Sequence, residues 1–137
     1  MTEKLNGEIL SYAVSSILNR DTKQYGKKFL FDGEGDTCWN SDQGDSQHIS
    51  LKFNSKITIS RIEIQFQGGF SSKQIDLLDF ANDQSILTSL YPEDVNNNQI
   101  FELEKPVSVT MLKLNLLKPT DMFGRVIVYN LNIYGLK

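Results

Sequence analysis

The stretch Phe31–Ser46, FDGEGDTCWNSDQGDS, decides how the rest of the sequence is interpreted. It holds the only cysteine and the only tryptophan of the chain, Cys38 and Trp39, among aspartates and glycines. Three interpretations compete: a metal-binding loop, a catalytic cluster, or a hydrogen-bonded corner that anchors a β-scaffold. Each makes a different demand on the surrounding residues.

A metal loop needs hard oxygen ligands for an ion such as calcium, and Asp32, Asp36 and Thr37 carry them. The stretch is not an EF-hand. Counting from Asp32 places Thr37 at position six, where that loop has Gly, and Gln43 at position twelve, where it has Glu. A looser calcium site at Asp32, Asp36 and Thr37 is one interpretation, and calcium is the one cofactor that the sequence suggests. The other interpretation is an Asx-type turn, in which Asp32 accepts backbone hydrogen bonds and Gly33 takes a positive φ.

A catalytic cluster would pair Cys38 with a base, and His48 is the only histidine. His48 occupies a polar, outward position of an alternating strand, and no third orienting group is apparent. One Cys and one His are also too few for a zinc site. The sequence therefore predicts no catalytic residues and a protein that is not an enzyme. The corner remains, with Trp39 as its buried anchor.

Beyond the corner the apolar residues follow a period of two, which predicts β-strands. Ile49, Leu51 and Phe53 alternate with polar neighbours, and the core face changes parity at Ser60–Arg61, which predicts a bulge. Ahead of the corner, Glu8 to Asn19 is predicted as either the one helix or an extended piece, and Gln24 to Leu30 as a helical turn. Further strands are predicted at 57–66, 75–79, 85–91, 100–103, 107–116 and 127–133. Many short strands separated by turns indicate an all-β antiparallel sandwich or jelly roll.

Composition restricts the class of protein further. A length of 137 residues suits one domain, 1–137, with its own core. Fourteen basic and seventeen acidic residues give a formal charge of −3, and there is no basic stripe, so direct nucleic-acid binding is not expected. No apolar run is long enough to cross a bilayer, and no membrane partner is expected. The single cysteine favours a reducing compartment, the nucleus and cytoplasm.

Two motifs carry a resemblance to a known family. FDGEGDTCWNS (31–41) resembles the D-G-x-x-x-T-x-W-x-S signature of discoidin-type domains, which are also called coagulation factor C-type or galactose-binding-like domains. FGRVIVYNLNIYG (123–135) resembles the closing strand of the same family. The resemblance implies a single discoidin-like domain with an eight-stranded jelly roll, and ligands bound by loops at one end. Some relatives hold calcium near the Asp-Gly turn, where Asp32 and Thr37 match, although Asn130 or Asn132 stands where some of them have Glu.

Other stretches point to a narrower group. SSILNRDTKQYGKKFLFD (15–32), IEIQFQGGFSS (62–72) and YPED (91–94) resemble small single-domain nuclear receptor-associated proteins named for the testicular orphan receptor. This resemblance implies a non-catalytic intracellular module that binds a nuclear receptor and represses receptor-driven transcription. The alternative is a carbohydrate-binding module that uses the same loops. An L-x-x-L-L helix is absent, so the helix-in-groove mode of receptor binding is not expected.

The family's binding loops correspond here to residues 40–44, 67–72 and 120–125. Polar side chains there are suited to hydrogen bonding, and Phe70 and Phe123 to apolar contact with a protein or a sugar ring. Whether the two phenylalanines point outward or plug the loops is left open, as is an ion pair of Arg125 with Asp121 or Asp42. The candidate partner-binding residues are Asn40, Ser41, Asp42, Gln67, Phe70, Asp121, Phe123 and Arg125.

Overall fold

The computed structural model describes residues 2–137 and confirms an all-β antiparallel fold. One short helix, α1 (Thr22–Tyr25), and three 3₁₀ turns (Asn6–Glu8, Leu18–Arg20 and Lys27–Leu30) precede most of the sheet. Every strand pairing is antiparallel. The described part of the chain forms eight strands: β1 Glu3–Lys4, β2 Ile9–Val14, β3 Trp39–Asn40, β4 Gln47–Phe66, β5 Ser72–Asp79, β6 Ser85–Leu90, β7 Asn98–Pro119 and β8 Ile127–Leu136.

The N-terminal segment is extended, which was one of the two alternatives that the sequence offered. A helix over Glu8 to Asn19 is wrong, and the extended alternative is confirmed, because Ile9–Val14 pairs with β4 as strand β2. Tyr12 and Val14 pack against the core from this strand. The β-branched and aromatic side chains of this segment suit a sheet better than a helix. The helical turn expected within 24–30 is present as the 3₁₀ turn Lys27–Leu30.

Two long strands, β4 and β7, build both layers of the sandwich. The first half of β4 lies between β2 and the second half of β7, which continues to β5 and β6. The second half of β4 lies between β8 and the first half of β7. The register of the β4–β7 pair shifts between Lys52 and Ile57 and again between Ile59 and Arg61. The second shift confirms the bulge predicted at Ser60–Arg61, and the parity of the core face changes there.

The core lies between these two layers and is closed by Trp39. Isoleucine and leucine side chains from both halves of β4 and from the second half of β7 are buried, together with Phe66 and Trp39. The indole N–H of Trp39 donates to the backbone carbonyl of Ser16 at 2.8 Å, so this buried donor is satisfied. Among residues 2–137, no helix is long and apolar enough to span a bilayer.

The Asp-Gly corner in front of Trp39 has the geometry of an Asx turn. One carboxylate oxygen of Asp32 accepts from the backbone N–H of Glu34 at 3.0 Å, and the other accepts from the Thr37 hydroxyl at 2.6 Å. Gly33 has φ 73°, as such a turn requires. Asp36 is exposed and makes no side-chain hydrogen bond in the described chain. Residues 2–137 also contain no group of three or more His, Cys, Asp and Glu able to hold a metal ion. Calcium at Asp32, Asp36 and Thr37 stays a prediction of the resemblance.

A substitution at Gly135 tests how closely strands β4 and β8 approach each other. A Cβ atom at this position would lie 1.8 Å from the backbone carbonyl oxygen of Thr58, across the β4–β8 pair. We expect Gly135→Ala to lower the free energy of unfolding by about 1–3 kcal/mol, because one of the two backbones must move. Urea denaturation followed by circular dichroism measures this change. Gly7→Ala is the control, since a Cβ there meets nothing within 4 Å. Equal midpoints for the two variants would contradict the expectation.

Asp32→Ala separates the two interpretations of the corner. Because both oxygens of Asp32 are hydrogen-bonded within the loop, we expect its loss to cost about 1 kcal/mol, or roughly 4 °C in Tm. The decrease should be the same in EDTA and in millimolar calcium, as followed by thermal denaturation. A wild-type Tm that rises with calcium, while that of Asp32→Ala does not, would establish an ion site instead.

Candidate functional site

The three loops expected at one end of the sandwich do lie together. Asn40 pairs with Ile127, Phe66 with Val128, and Ser72 with Pro119, so strands β3, β4, β5, β7 and β8 all end or begin at the same edge. Backbone hydrogen bonds then join the loops directly. Gln67 N–H donates to the carbonyl of Ile127, and the N–H of Ile127 donates to the carbonyl of Phe70, both at 3.0 Å. We call this set of loops (residues 41–46, 67–71 and 120–126) the loop end.

The loop between β7 and β8 is held tightly by its own backbone. One carboxylate oxygen of Asp121 accepts from the N–H groups of Phe123 at 3.2 Å and Arg125 at 3.1 Å. Gly124 has φ 80°, and a Cβ there would lie 1.6 Å from the carbonyl oxygen of Gly44. The N–H of Gly44 in turn donates to the carbonyl of Phe123 at 3.1 Å. Only glycine fits this crossing of two loops, which fixes the path of the chain on either side.

The apolar tip of this loop points outward. Met122 is 89% exposed and Phe123 is 60% exposed. Phe123 therefore does not plug the loop, which answers the question that the sequence left open. Phe70 differs, because it is half-buried and lies beneath the guanidinium of Arg125. The tip formed by Met122 and Phe123, called here the apolar tip, is the one large apolar contact surface that the loop end presents.

Arg125 joins the loops instead of pairing with a carboxylate. Its Nη2 donates to the side-chain oxygen of Asn40 at 2.8 Å, and its guanidinium carbon lies 5.1 Å from the centroid of the Phe70 ring. The ion pair with Asp121 or Asp42, which the sequence left open, is absent from residues 2–137. It is replaced by an amide contact and a cation–π contact because Asp121 is turned toward backbone N–H groups of its own loop.

Several predicted binding residues are engaged inside the protein. Asn40 and Ser41 are buried, and the Ser41 hydroxyl donates to the carbonyl of Asp42 while it accepts from the N–H of Val126. Asp42 is half-buried and accepts from the N–H of Gln43 at 2.9 Å. The side-chain oxygen of Gln67 accepts from the Tyr129 hydroxyl at 3.0 Å. These contacts position the loops, and a direct role of these residues in binding stays a prediction.

An open depression of about 450 Å³ lies beside the apolar tip. Of the eight predicted binding residues, only Asp121 and Phe123 line it. Two of the lining residues fall outside the loops predicted from the sequence. Asp45 directly follows the predicted loop 40–44, and Pro119 directly precedes the predicted loop 120–125. Asp45 stands in the quoted stretch, and a loop boundary drawn one residue later would have included it. The charged lining is acidic, and the full lining is Gln43, Gly44, Asp45, Pro119, Asp121, Met122, Phe123 and Gly124.

The loop end has the chemistry of a contact surface. It offers apolar side chains, carboxylates and backbone carbonyls, and no nucleophile beside a base. Cys38 and His48 make no hydrogen bond with each other in the described chain. Burial raises the pKa of the Cys38 thiol, which disfavours the reactive thiolate. Burial, followed by the charge of Lys113, lowers the pKa of His48.

Curated relatives match this chain over almost its whole length. Residues 12–128 match the family model described as the F5/8 type C domain. A nuclear receptor 2C2-associated protein of Danio rerio is 45% identical over 139 residues, covering 100% of this chain and 99% of that protein. Proteins of the same name from Bos taurus and Homo sapiens are 48% and 47% identical over 126 residues. The human alignment covers 90% of each chain, and the bovine alignment covers 90% of this chain and 89% of that protein.

Solved structures confirm the fold at low sequence identity. An F5/8 type C domain from Bacteroides fragilis has a TM-score of 0.81 at 15% identity, covering 99% of this chain and 97% of that one. A family 32 carbohydrate-binding module from C. perfringens NanJ, solved with galactose, has a TM-score of 0.79 at 15% identity, covering 98% and 99%. Taken with the curated relatives, these matches show that the chain belongs to the F5/8 type C (discoidin-like) domain family and, within it, to the group of nuclear receptor 2C2-associated proteins.

Proposed function

We propose that this protein is a non-catalytic binding module that contacts a nuclear receptor through the apolar tip. Its relatives carry the name of such an association. Binding would repress receptor-driven transcription by covering a receptor surface, without any covalent change. The same proposal places the protein in the nucleus and cytoplasm, where such a receptor is found.

The exposure of Met122 and Phe123 on a fixed loop carries this proposal. Exposed methionine and aromatic side chains are enriched at protein interfaces. The backbone hydrogen bonds to Asp121 and the contact between Gly124 and Gly44 hold the loop before any partner arrives. Little conformational entropy is therefore lost on binding, which favours affinity.

The acidic depression beside the apolar tip favours a partner surface of positive charge. Asp45 and Asp121 are its charged residues, and no Lys or Arg lines it. Acidic groups at the rim favour a partner surface that presents basic side chains around an apolar contact. The receptor surface that fits best therefore has a hydrophobic recess bordered by Lys or Arg.

The double variant Met122→Ser/Phe123→Ser tests the apolar tip. We expect binding to the ligand-binding domain of nuclear receptor 2C2 to weaken at least tenfold, because buried aromatic and aliphatic anchors contribute about 1–2 kcal/mol each. Isothermal titration calorimetry measures the affinity, and Tm should not change because both side chains are exposed.

Ile86→Ser is the matched control for that experiment, since Ile86 is 63% exposed on the edge strand β6 and lies outside the loop end. It should bind the receptor domain as the wild type does. Wild-type affinity in the tip variant would remove the apolar tip from the interface. No binding by the wild type would remove the receptor proposal.

Carbohydrate binding is the second candidate, because structural neighbours include a module solved with galactose. Here the polar groups predicted for sugar hydroxyls are already partnered: Asn40 accepts from Arg125, and Gln67 accepts from Tyr129. Asn40 is also buried. A sugar hydroxyl would have to compete with these contacts for the two side-chain oxygens, so protein binding is the better-supported function.

We expect galactose at about 10 mM to give no saturable change in amide NMR signals of residues 40–44, 67–72 and 120–125, because the affinity would be weaker than millimolar. The bacterial module that was solved with galactose serves as the positive control. Saturable shifts that disappear in Phe123→Ser would favour the carbohydrate function over the receptor function.

A further inference from the structure

A basic surface lies on the segment before the Asp-Gly corner. Arg20, Lys23, Lys27 and Lys28 fall within nine residues and are all exposed. The one carboxylate among them, Asp21, accepts from the backbone N–H of Gln24 at the start of α1. None of the four basic groups forms an ion pair in residues 2–137. This concentration of positive charge contrasts with the formal charge of −3 of the whole chain.

Aromatic rings and a backbone carbonyl orient two of these lysines. The Lys27 ammonium donates to the carbonyl of Tyr12 at 2.6 Å and lies 4.9 Å from the centroid of the Tyr12 ring. The Tyr12 ring meets Phe31 edge-on at 5.0 Å, so it is itself supported. The Lys28 ammonium lies 5.1 Å from the centroid of the Phe29 ring. An ammonium has three donors, so both lysines keep donors for an external acceptor.

A small apolar cavity of about 230 Å³ is lined by two of these cations, Lys27 and Lys28. Its lining consists of Ile17, Thr22, Gly26, Lys27 and Lys28, and is almost wholly apolar. The lysines therefore contribute their aliphatic stems to the wall while their ammonium groups stay at the rim. Ile17, the one large apolar residue of the lining, is partly buried and packs against the core.

We propose that this basic surface binds an acidic peptide segment that places one aliphatic side chain in the cavity. Carboxylates on either side of that side chain would bind the rim lysines. An apolar cavity with cationic edges is complementary to such a segment in both shape and charge. A nucleic acid fits less well, because the four cations fall within nine residues and the formal charge of the whole chain is −3. The surface is separate from the apolar tip and does not depend on the proposed receptor contact.

A synthetic peptide tests this surface directly. The probe is a fluorescein-labelled twelve-residue peptide of glutamates and serines with one central leucine, and anisotropy reports its binding to the full chain. We expect saturable binding that weakens as NaCl rises from about 50 to 200 mM. Replacing the leucine of the peptide by alanine should weaken binding at least fivefold, because the apolar contact is lost.

The variant Lys23→Glu/Lys28→Glu should weaken peptide binding at least tenfold. The control Lys56→Glu/Lys105→Glu makes the same change in net charge at two exposed lysines outside the surface, and should leave binding within twofold of the wild type. Thermal denaturation checks that both variants fold. Met122→Ser/Phe123→Ser should bind the peptide normally, which separates this proposal from the receptor proposal.

Four results would overturn the proposal. They are absence of saturable binding at about 1 mM protein, equal binding of the leucine and alanine peptides, an equal loss in both charge variants, and tighter binding of a single-stranded oligonucleotide or of anionic phospholipid vesicles than of the peptide. The last result would assign the surface to a nucleic acid or a membrane instead.

Discussion

The antiparallel pairing of β4 with β7 is the constraint on which the rest of the structure depends. The two strands run for 20 and 22 residues and pair along most of that length. Each contributes to both layers, and strands β2, β5 and β8 pair directly with this ladder. The two register shifts let the ladder change layers while the apolar side chains stay in the core. A shift of one residue elsewhere would turn the buried isoleucines to solvent.

That ladder also explains why the loops meet at one edge. Because β4 and β7 both end there, the connections to β5 and β8 must begin there. Contacts within the loop end then restrict its conformation. Arg125 donates a hydrogen bond to Asn40, and the backbones of Gly124 and Gly44 approach too closely for a side chain at position 124. Several polar side chains that the sequence predicts to bind a partner instead hold these loops together. The exposed remainder is apolar and acidic, which suits recognition of a protein surface.

Charge is divided between two surfaces of the molecule. The depression at the loop end is bordered by aspartates, whereas the segment around α1 concentrates unpaired lysines and an arginine. The net charge of −3 is a sum over the whole chain and does not show that acidic and basic residues lie on different surfaces. Long-range electrostatic attraction falls off within about 8 Å at physiological salt. Under the two proposals, each surface therefore favours a different partner chemistry.

The sequence by itself determined the all-β class and the bulge at Ser60–Arg61, because both depend on a local pattern, a period of two or a change of parity. It offered the Asx turn at Asp32 as one of two interpretations, from a turn residue beside glycine. It also identified the loops that meet at one end, through the resemblance to the family. It did not distinguish strand from helix at Glu8 to Asn19, since pairing with β4 decided that segment.

Only the tertiary structure decided that Met122 and Phe123 face solvent and that Arg125 contacts Asn40 and Phe70 instead of an aspartate. Side-chain direction in a loop depends on contacts between residues far apart in the chain. The periodic pattern of apolar and polar residues does not predict such contacts.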